Sequence, residues 1–324
     1  MGKVVTQKKI IALAFTDIHL HRWKNFSVKD SRMHLTLSIL DKIRQKADEY
    51  SVPLLFSGDF IHDPKSIDNS LLYHIAHYFH SDTKQVKMYG IDGNHDMCQK
   101  NSLESISPAY WATFSMMYPD KFIDLNLKNL RVGKLNLFGI PYFNNSSDLR
   151  KTLKNFSKLI DPKLKNILLI HTDLPGAKDA FGHVIDEVED IKMKYFRKFD
   201  LVIDGHIHNP QKVGKKIIIL GSPYQQTRSE KGLNLGYWKI YEDLSMKKVV
   251  LKTPRFIDLP EGEDIPDDGN YYSLIPKNKE ILFNNKTFDA KLSRAKLAKR
   301  YTESLGIKEK SKVKALIHIL NSVE

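Results

Sequence analysis

Five times along this chain a short run of β-branched and other apolar residues ends in a cluster of Asp, His, Asn and Gly. The five are IIALAFTDIH, VPLLFSGDFIHD, VKMYGIDGNHD, NILLIHTD and DLVIDGHIHNP. Apolar runs of this length bounded by turn residues predict buried strands. Each polar cluster then falls at the carboxyl end of a strand, the edge at which ligands gather in open α/β sheets. Five clusters on one edge would converge. Between several runs lie helical stretches, such as SRMHLTLSILDKIRQKADEY, where Leu37, Leu40, Ile43 and Ala47 share a face. Further strands, KLNLFGIPYF and KIIILGSPYQ, have no helix between themselves and a neighbouring strand. The expected fold is α/β: a layered β-sandwich flanked by helices.

Taken singly the clusters are ordinary. Asp17 and His19 could be a turn residue and a surface histidine, Gly58-Asp59 a β-turn, and His171 a hydrogen-bonded core residue. His206 and His208 are less ordinary, because alternate residues of an extended strand point to one side and packing seldom needs two adjacent imidazoles. Asp92-Gly93 reads as a turn, with the glycine accepting a positive backbone angle, and it delivers Asn94, His95 and Asp96. Together the clusters supply Asp17, His19, Asp59, Asn94, His171, His206 and His208, all oxygen or imidazole donors with no thiolate. Seven donors exceed one ion's needs, but a bridging Asp59 gives each of two ions four protein atoms. Such donors suit manganese, iron or zinc, and the histidine content argues against calcium. Two ions ~3.5 to 4 Å apart clamp a phosphate, acidify a water and stabilise the attacking and leaving oxygens.

These motifs, in this order over about residues 11 to 210, resemble the calcineurin-like metallophosphoesterases. The resemblance implies one metal held by Asp17, His19, Asp59 and His208 and a second by Asp59, Asn94, His171 and His206. It makes His95 the group that polarises or protonates the phosphoester, with Asp96 orienting the His95 ring. GDFIHD carries His62 where the protein-phosphatase branch has Asp-Arg-Gly, and GNHD replaces that branch's GNHE. The segment GSPYQQTRSEKGLNLGYWKIYED is similar to the one that follows the last histidine motif in SbcD-type DNA-repair nucleases and their viral relatives; a β-turn before a strand would read the same way. The resemblance to that nuclease branch implies manganese-dependent cleavage of duplex ends and single strands, with His62 helping to place the terminal phosphate. It also implies a homodimer bound to an ABC-type coiled-coil ATPase in double-strand break repair. A small-molecule or cyclic-nucleotide phosphodiesterase, and a non-catalytic scaffold tethering an ATPase to DNA, are the alternatives.

Composition bears on partners. The formal charge of +13 favours a polyanion such as DNA. Between Asp258 and Asp268 there are six acidic and no basic residues, whereas from Lys286 onward ten Lys or Arg face four acids. The single cysteine, Cys98, cannot form an intramolecular disulfide. Together with the absence of a secretory leader or membrane-length apolar run, this predicts a cytoplasmic protein without membrane association. At 324 residues one main domain with an appendage is expected. Residues 1–224 would be the nuclease domain, 225–285 strand completion with a reduced DNA-capping region, and 286–324 a pair of short amphipathic helices. These present Leu292, Ala295, Ala298 and Leu305, then Val313, Leu316, Ile317, Leu320 and Val323, and are expected to grip the ATPase. The stretches SLLYHIAHYF and SPAYWATFSMMY flank the GNHD strand with enough aromatic and methionine surface for a dimer interface.

Overall fold

The computed structural model describes residues 8–63, 67–99, 101–105, 107–179, 182–189 and 191–275. The expected C-terminal helix pair lies outside them. The chain opens with four parallel strands, β1 (Ile10–Phe15), β2 (Leu54–Ser57), β3 (Met88–Ile91) and β4 (Phe122–Asp124). It then builds a second sheet from β5 (Asn129–Val132), β6 (Leu135–Ile140), β7 (Lys165–Ile170), β8 (Leu201–Asp204), β9 (Gln211–Val213) and β10 (Ile217–Ile219). It returns to the first sheet with β11 (Gly236–Tyr241) and β12 (Met246–Val250). The sheet orders are β12-β11-β1-β2-β3-β4 and β5-β6-β7-β8-β10-β9. Strand β11 runs antiparallel to β1, setting Trp238 opposite Ala14, so residues 236–250 belong to the first sheet. A separate two-stranded ribbon joins β13 (Phe256–Pro260) to β14 (Tyr271–Ile275). Among the described residues, those up to Leu259, with Glu263–Ser273, form one compact body, and Pro260–Gly262 with Leu274 and Ile275 fall in a second unit.

Strand alternation makes three apolar layers. Along β1, Leu13 and Phe15 face outward with Phe56, under helices α1 (Ser31–Glu49), α2 (Asn69–Ser81) and α3 (Tyr110–Met117). Ala12 and Ala14 face inward and meet Leu137, Leu169 and Ile203 of the second sheet. The far face of that sheet, with Phe138, Ile170 and Val202, packs under α4 (Ser146–Phe156) through Leu149 and Leu153. Burying each such side chain contributes roughly 1.5–3 kcal/mol, and a one-residue slip in register would turn both faces inside out. Helix α1 buries Leu37, Leu40, Ile43 and Ala47, as its periodicity predicts. Helix α4 buries Leu149, Leu153 and Phe156, which recur at helical spacing, and is capped by the Asn145 side chain, which accepts from the Ser147 N–H. The parallel order within each sheet sets the carboxyl ends of β1, β2 and β3 beside those of β7 and β8.

Candidate metal centre

Past each of these strand ends the chain turns sharply. Four of the seven expected ligands, Asp17, His19, Asp59 and His206, have left-handed backbone angles, with φ of 50°, 46°, 61° and 74°. Non-glycine residues seldom adopt this region, and such strain clusters at functional sites. It is held here by pairing between the loops after β1 and β2: the Asp17 N–H donates to Gly58 O at 2.9 Å, His19 to Asp59 O at 3.1 Å and Leu20 to Phe60 O at 2.8 Å. The two sheets are tied at the same point by the His206 N–H, which donates to Asp17 Oδ1 at 3.2 Å.

The seven side chains converge. Asp59 Oδ2 lies 3.5 Å from His19 Nε2 and 3.3 Å from His171 Nε2, between two groups of donors. On one side His208 Nε2 is 3.2 Å from His19 Nε2 and 3.6 Å from Asp17 Oδ1. On the other, Asn94 Oδ1 is 3.0 Å from both His171 Nε2 and His206 Nδ1. Two groups of donors thus face each other across Asp59 Oδ2. His206 and His208 reach opposite groups, however, so the extended-strand argument for the pair does not hold. They follow β8 in a turn, and the left-handed His206 breaks the alternation.

Hydrogen bonds around the cluster fix which ring atoms are free. His171 Nδ1 donates to Ser57 O at 2.7 Å and His208 Nδ1 to Glu230 Oε1 at 2.5 Å, leaving both Nε2 atoms to face the cluster. The His95 N–H donates to Asp59 Oδ1 at 2.8 Å, which leaves Oδ2 facing the two donor groups. Asp17 Oδ2 is buried without a partner. An orphaned carboxylate oxygen beside free imidazole nitrogens is what a site for cations requires. The electrostatics agree. Burial opposes ionisation of Asp17 and Asp59, but His208 beside the first and His171 beside the second outweigh it, and both carboxyls sit below their usual range. Burial likewise opposes charge on His171 and His208, yet Asp59 for one and Asp17 with Glu230 for the other push both up to about 10. The cluster therefore gathers positive charge, as protons or as metal.

The GNHD motif departs from its sequence reading in two ways. Gly93 has an extended backbone, φ −91° and ψ −176°, not a positive φ. Glycine is needed there for clearance: a Cβ would lie 2.1 Å from Asp59 Oδ1. Gly205 is comparable, since its Cβ would stand 2.3 Å from Ser57 O and 2.6 Å from His171 Nδ1. Asp96, expected to orient the His95 ring, instead accepts four backbone N–H groups, from Asp59, Phe60 and Ile61 at 2.8 Å and from Gly93 at 2.9 Å. The ring is oriented by His62, whose carbonyl accepts from His95 Nδ1 at 2.6 Å. Asp96 thus holds the loop that carries the bridging carboxylate. His62 stacks on His95, with ring centroids 5.3 Å apart, and burial followed by the neighbouring His21 and His95 push its pKa down to about 4.

Sequence reasoning missed Glu230 and the role of the segment before it. Gln226 Nε2 donates to Asp17 O, the Gln226 N–H donates to Glu230, and the buried Tyr224 shares a hydrogen bond with Thr36 and reaches Ile18 O. The GSPYQQ stretch is therefore a support for the Asp17 loop rather than a plain turn. Glu230 had one signal, as the only acidic residue between His208 and Gly232. Together His19, Asp59, His62, His95, His206 and His208 line a cleft of about 350 Å³.

Comparison with known proteins agrees with this geometry. The chain is 30% identical over 150 residues to a subunit of nuclease SbcCD from Staphylococcus epidermidis, covering 45% of this chain and 39% of that one. It is 23% identical over 214 residues to the corresponding nuclease subunit of Staphylococcus saprophyticus, covering 59% and 54%. The chain thus spans about half or less of those relatives' length. A protein of Invertebrate iridescent virus 6, provisionally named phosphoesterase 244L, is 23% identical over 232 residues, covering 70% of this chain and 78% of that one. The family model described as calcineurin-like phosphoesterase matches residues 12–210, the span that carries all seven of the converging side chains, and the chain belongs to that family of metal-dependent hydrolases.

Proposed function

We propose that this chain is a two-metal-dependent DNA nuclease, cutting duplex ends as an exonuclease and single strands as an endonuclease. The observation that carries this reading is His62, which stands where the phosphatase branch has Asp-Arg-Gly. Its carbonyl fixes the His95 ring and its own ring lies along the cleft. The similarity to two nuclease subunits and the charge of +13 support it.

In this reading Asp17, His19, Asp59 and His208 hold one divalent ion and Asp59, Asn94, His171 and His206 the other. Manganese suits the mixed oxygen and imidazole set. Bound ions would supply Lewis-acid stabilisation of the phosphodiester and an acidified water. The chain's own residues do the rest. His95 gives a proton to the departing sugar oxygen as the P–O bond breaks and water adds at phosphorus, and the His62 carbonyl keeps that ring in place. Homodimerisation finds support in the exposed Leu72 and Tyr73 of α2 and Met116 and Met117 of α3, apolar side chains on the two stretches singled out for it. The ABC-type ATPase partner, reached through residues 286–324, and a role in break repair rest on the nuclease relatives. No helix among the described residues is long and apolar enough to cross a membrane.

The test is purified protein with manganese on linear duplex DNA and on a chromogenic phosphodiester. Cleavage of both is expected. Hydrolysis of the small diester alone would favour a small-molecule phosphodiesterase, and hydrolysis of neither would favour a scaffold.

A further inference from the structure

Beside the metal cleft lies a larger cavity of about 880 Å³, within the ~300 to 1,000 Å³ range of ligand sites. Trp23, Gln226 and Thr227 line both, so Trp23 is a wall shared between them. The ring of Trp23 packs 4.6 Å from that of His62 on the cleft side. The larger cavity is lined by aromatic and cationic side chains, including Phe26, Phe256, Arg22, Lys24 and Arg32. Its acids are already engaged: Arg22 binds Asp30 at 2.9 Å and Asp68 at 3.1 Å. Among the described residues no carboxylate lies within ion-pair distance of Lys24 or Arg32.

Arg32 is the less usual of the two. It is 2% exposed, donates to the carbonyls of Gln226 at 2.6 Å and Asn25 at 3.1 Å, and lies over the rings of Trp23 at 4.8 Å and Tyr271 at 5.0 Å. Its Nε has no partner. A buried guanidinium without a counter-ion is costly, and carbonyls and ring faces offset only part of that cost. An anion in the cavity would supply the remainder. Phe26, 47% exposed, offers an aromatic surface there. Cations that track a phosphate backbone beside an aromatic surface are how proteins hold unpaired nucleic acid, whose bases, unlike those in a duplex, have free faces.

We infer that this cavity holds the single strand flanking the scissile phosphate, with a base against Phe26 and phosphates near Lys24 and Arg32. The inference rests on the nuclease reading. Lys24 and Phe26 are exposed, and Phe26 has a φ of 55° that asparagine tolerates better, so Lys24→Glu and Phe26→Asn should fold. Fluorescence anisotropy with a labelled oligothymidylate, in chelator to prevent cleavage, should show each variant binding about fivefold or more weakly, the loss expected for one stacked base or phosphate contact. Binding to a blunt duplex should change less. Oligonucleotides carrying bromodeoxyuridine should photocrosslink within residues 22–32 of the wild-type protein. Unchanged affinity in both variants, or crosslinks confined to other segments, would overturn the inference while leaving DNA cleavage by the wild type intact. A wild-type protein that neither binds nor cuts DNA would remove the nuclease reading, and this inference with it.

Discussion

The Nδ1 atoms of His19 and His62 lie 3.2 Å apart, so one proton serves both rings at that contact. His19 faces Asp59 and His208 through Nε2, and a neutral ligand ring in that orientation carries its proton on Nδ1. His62 is then the acceptor that orients the His19 ring, a ligand in the proposed two-metal reading. Losing such a partner typically costs 10- to 100-fold in metal affinity, so His62→Ser should weaken manganese binding by about that factor in calorimetry. Unimpaired metal binding with lost DNA cleavage would instead place His62 on the substrate.

Asp59 Oδ2 stands between both donor groups, 3.5 Å from His19 Nε2 and 3.3 Å from His171 Nε2. Asp59→Asn should therefore depress binding at both metal positions and abolish phosphodiester hydrolysis. Metal content by elemental analysis decides the matter: a variant that retains the wild-type complement after dialysis would refute the bridging role.

Asp96 bears on stability more than on chemistry. In Asp96→Asn one acceptor oxygen becomes an amide donor facing buried N–H groups, each of which costs ~1–3 kcal/mol when unsatisfied. A fall of more than about 5 °C in thermal midpoint is expected. Slowed turnover at an unchanged midpoint would argue for a direct part in the reaction.

Far from the site, Arg44 is fully buried against Asp82, whose side chain is 1% exposed and also meets Lys84 at 3.1 Å and Lys121 at 3.2 Å. Burial of Asp82 is outweighed by Arg44 and the two lysines, and its pKa is lowered. A lowered carboxylate contributes stability above its unfolded value near 4, and that contribution is lost as pH falls through the folded value. Asp82→Asn should cost about 3–5 kcal/mol in urea unfolding at pH 7, as expected when a buried pair is broken. The gap from wild type should narrow below about pH 4. A gap that stays constant down to pH 3 would show that the charge of Asp82 is not what matters.

What the sequence reveals is the part of the site that each strand carries at its own end. Asp17, Asp59, Asn94, His171 and His208 can be placed from apolar runs and their terminators, because each follows its strand within a few residues. The hydrogen bonds that orient these groups are a different matter. Glu230 meets His208 from 22 residues away, and the His62 carbonyl meets His95 from 33 residues away. Neither contact has a periodicity to betray it. The motif GNHD suggests an Asp96 that steadies the neighbouring ring, but a carboxylate beside a histidine in sequence can turn to any nearby donor. Here four backbone N–H groups outweigh one ring. Gly93 misleads for a related reason: a glycine in a turn-like context is read as conformational, whereas its actual constraint is a side chain 34 residues earlier.

The converging side chains are divided between the sheets: Asp17, His19, Asp59 and Asn94 follow strands of the first, and His171, His206 and His208 follow strands of the second. Any ion shared among them would act as a rivet across the seam of the sandwich. Ligation of that kind stabilises only the closed arrangement, by an amount that grows with the logarithm of free metal. Chelation should consequently do more than silence the enzyme. It should loosen one rim of the protein, so that amide hydrogens in the loops after β2 and β8 exchange together and faster, while the helix-covered faces keep their protection. Metal supply would then govern the lifetime of the protein in a cell as well as its turnover.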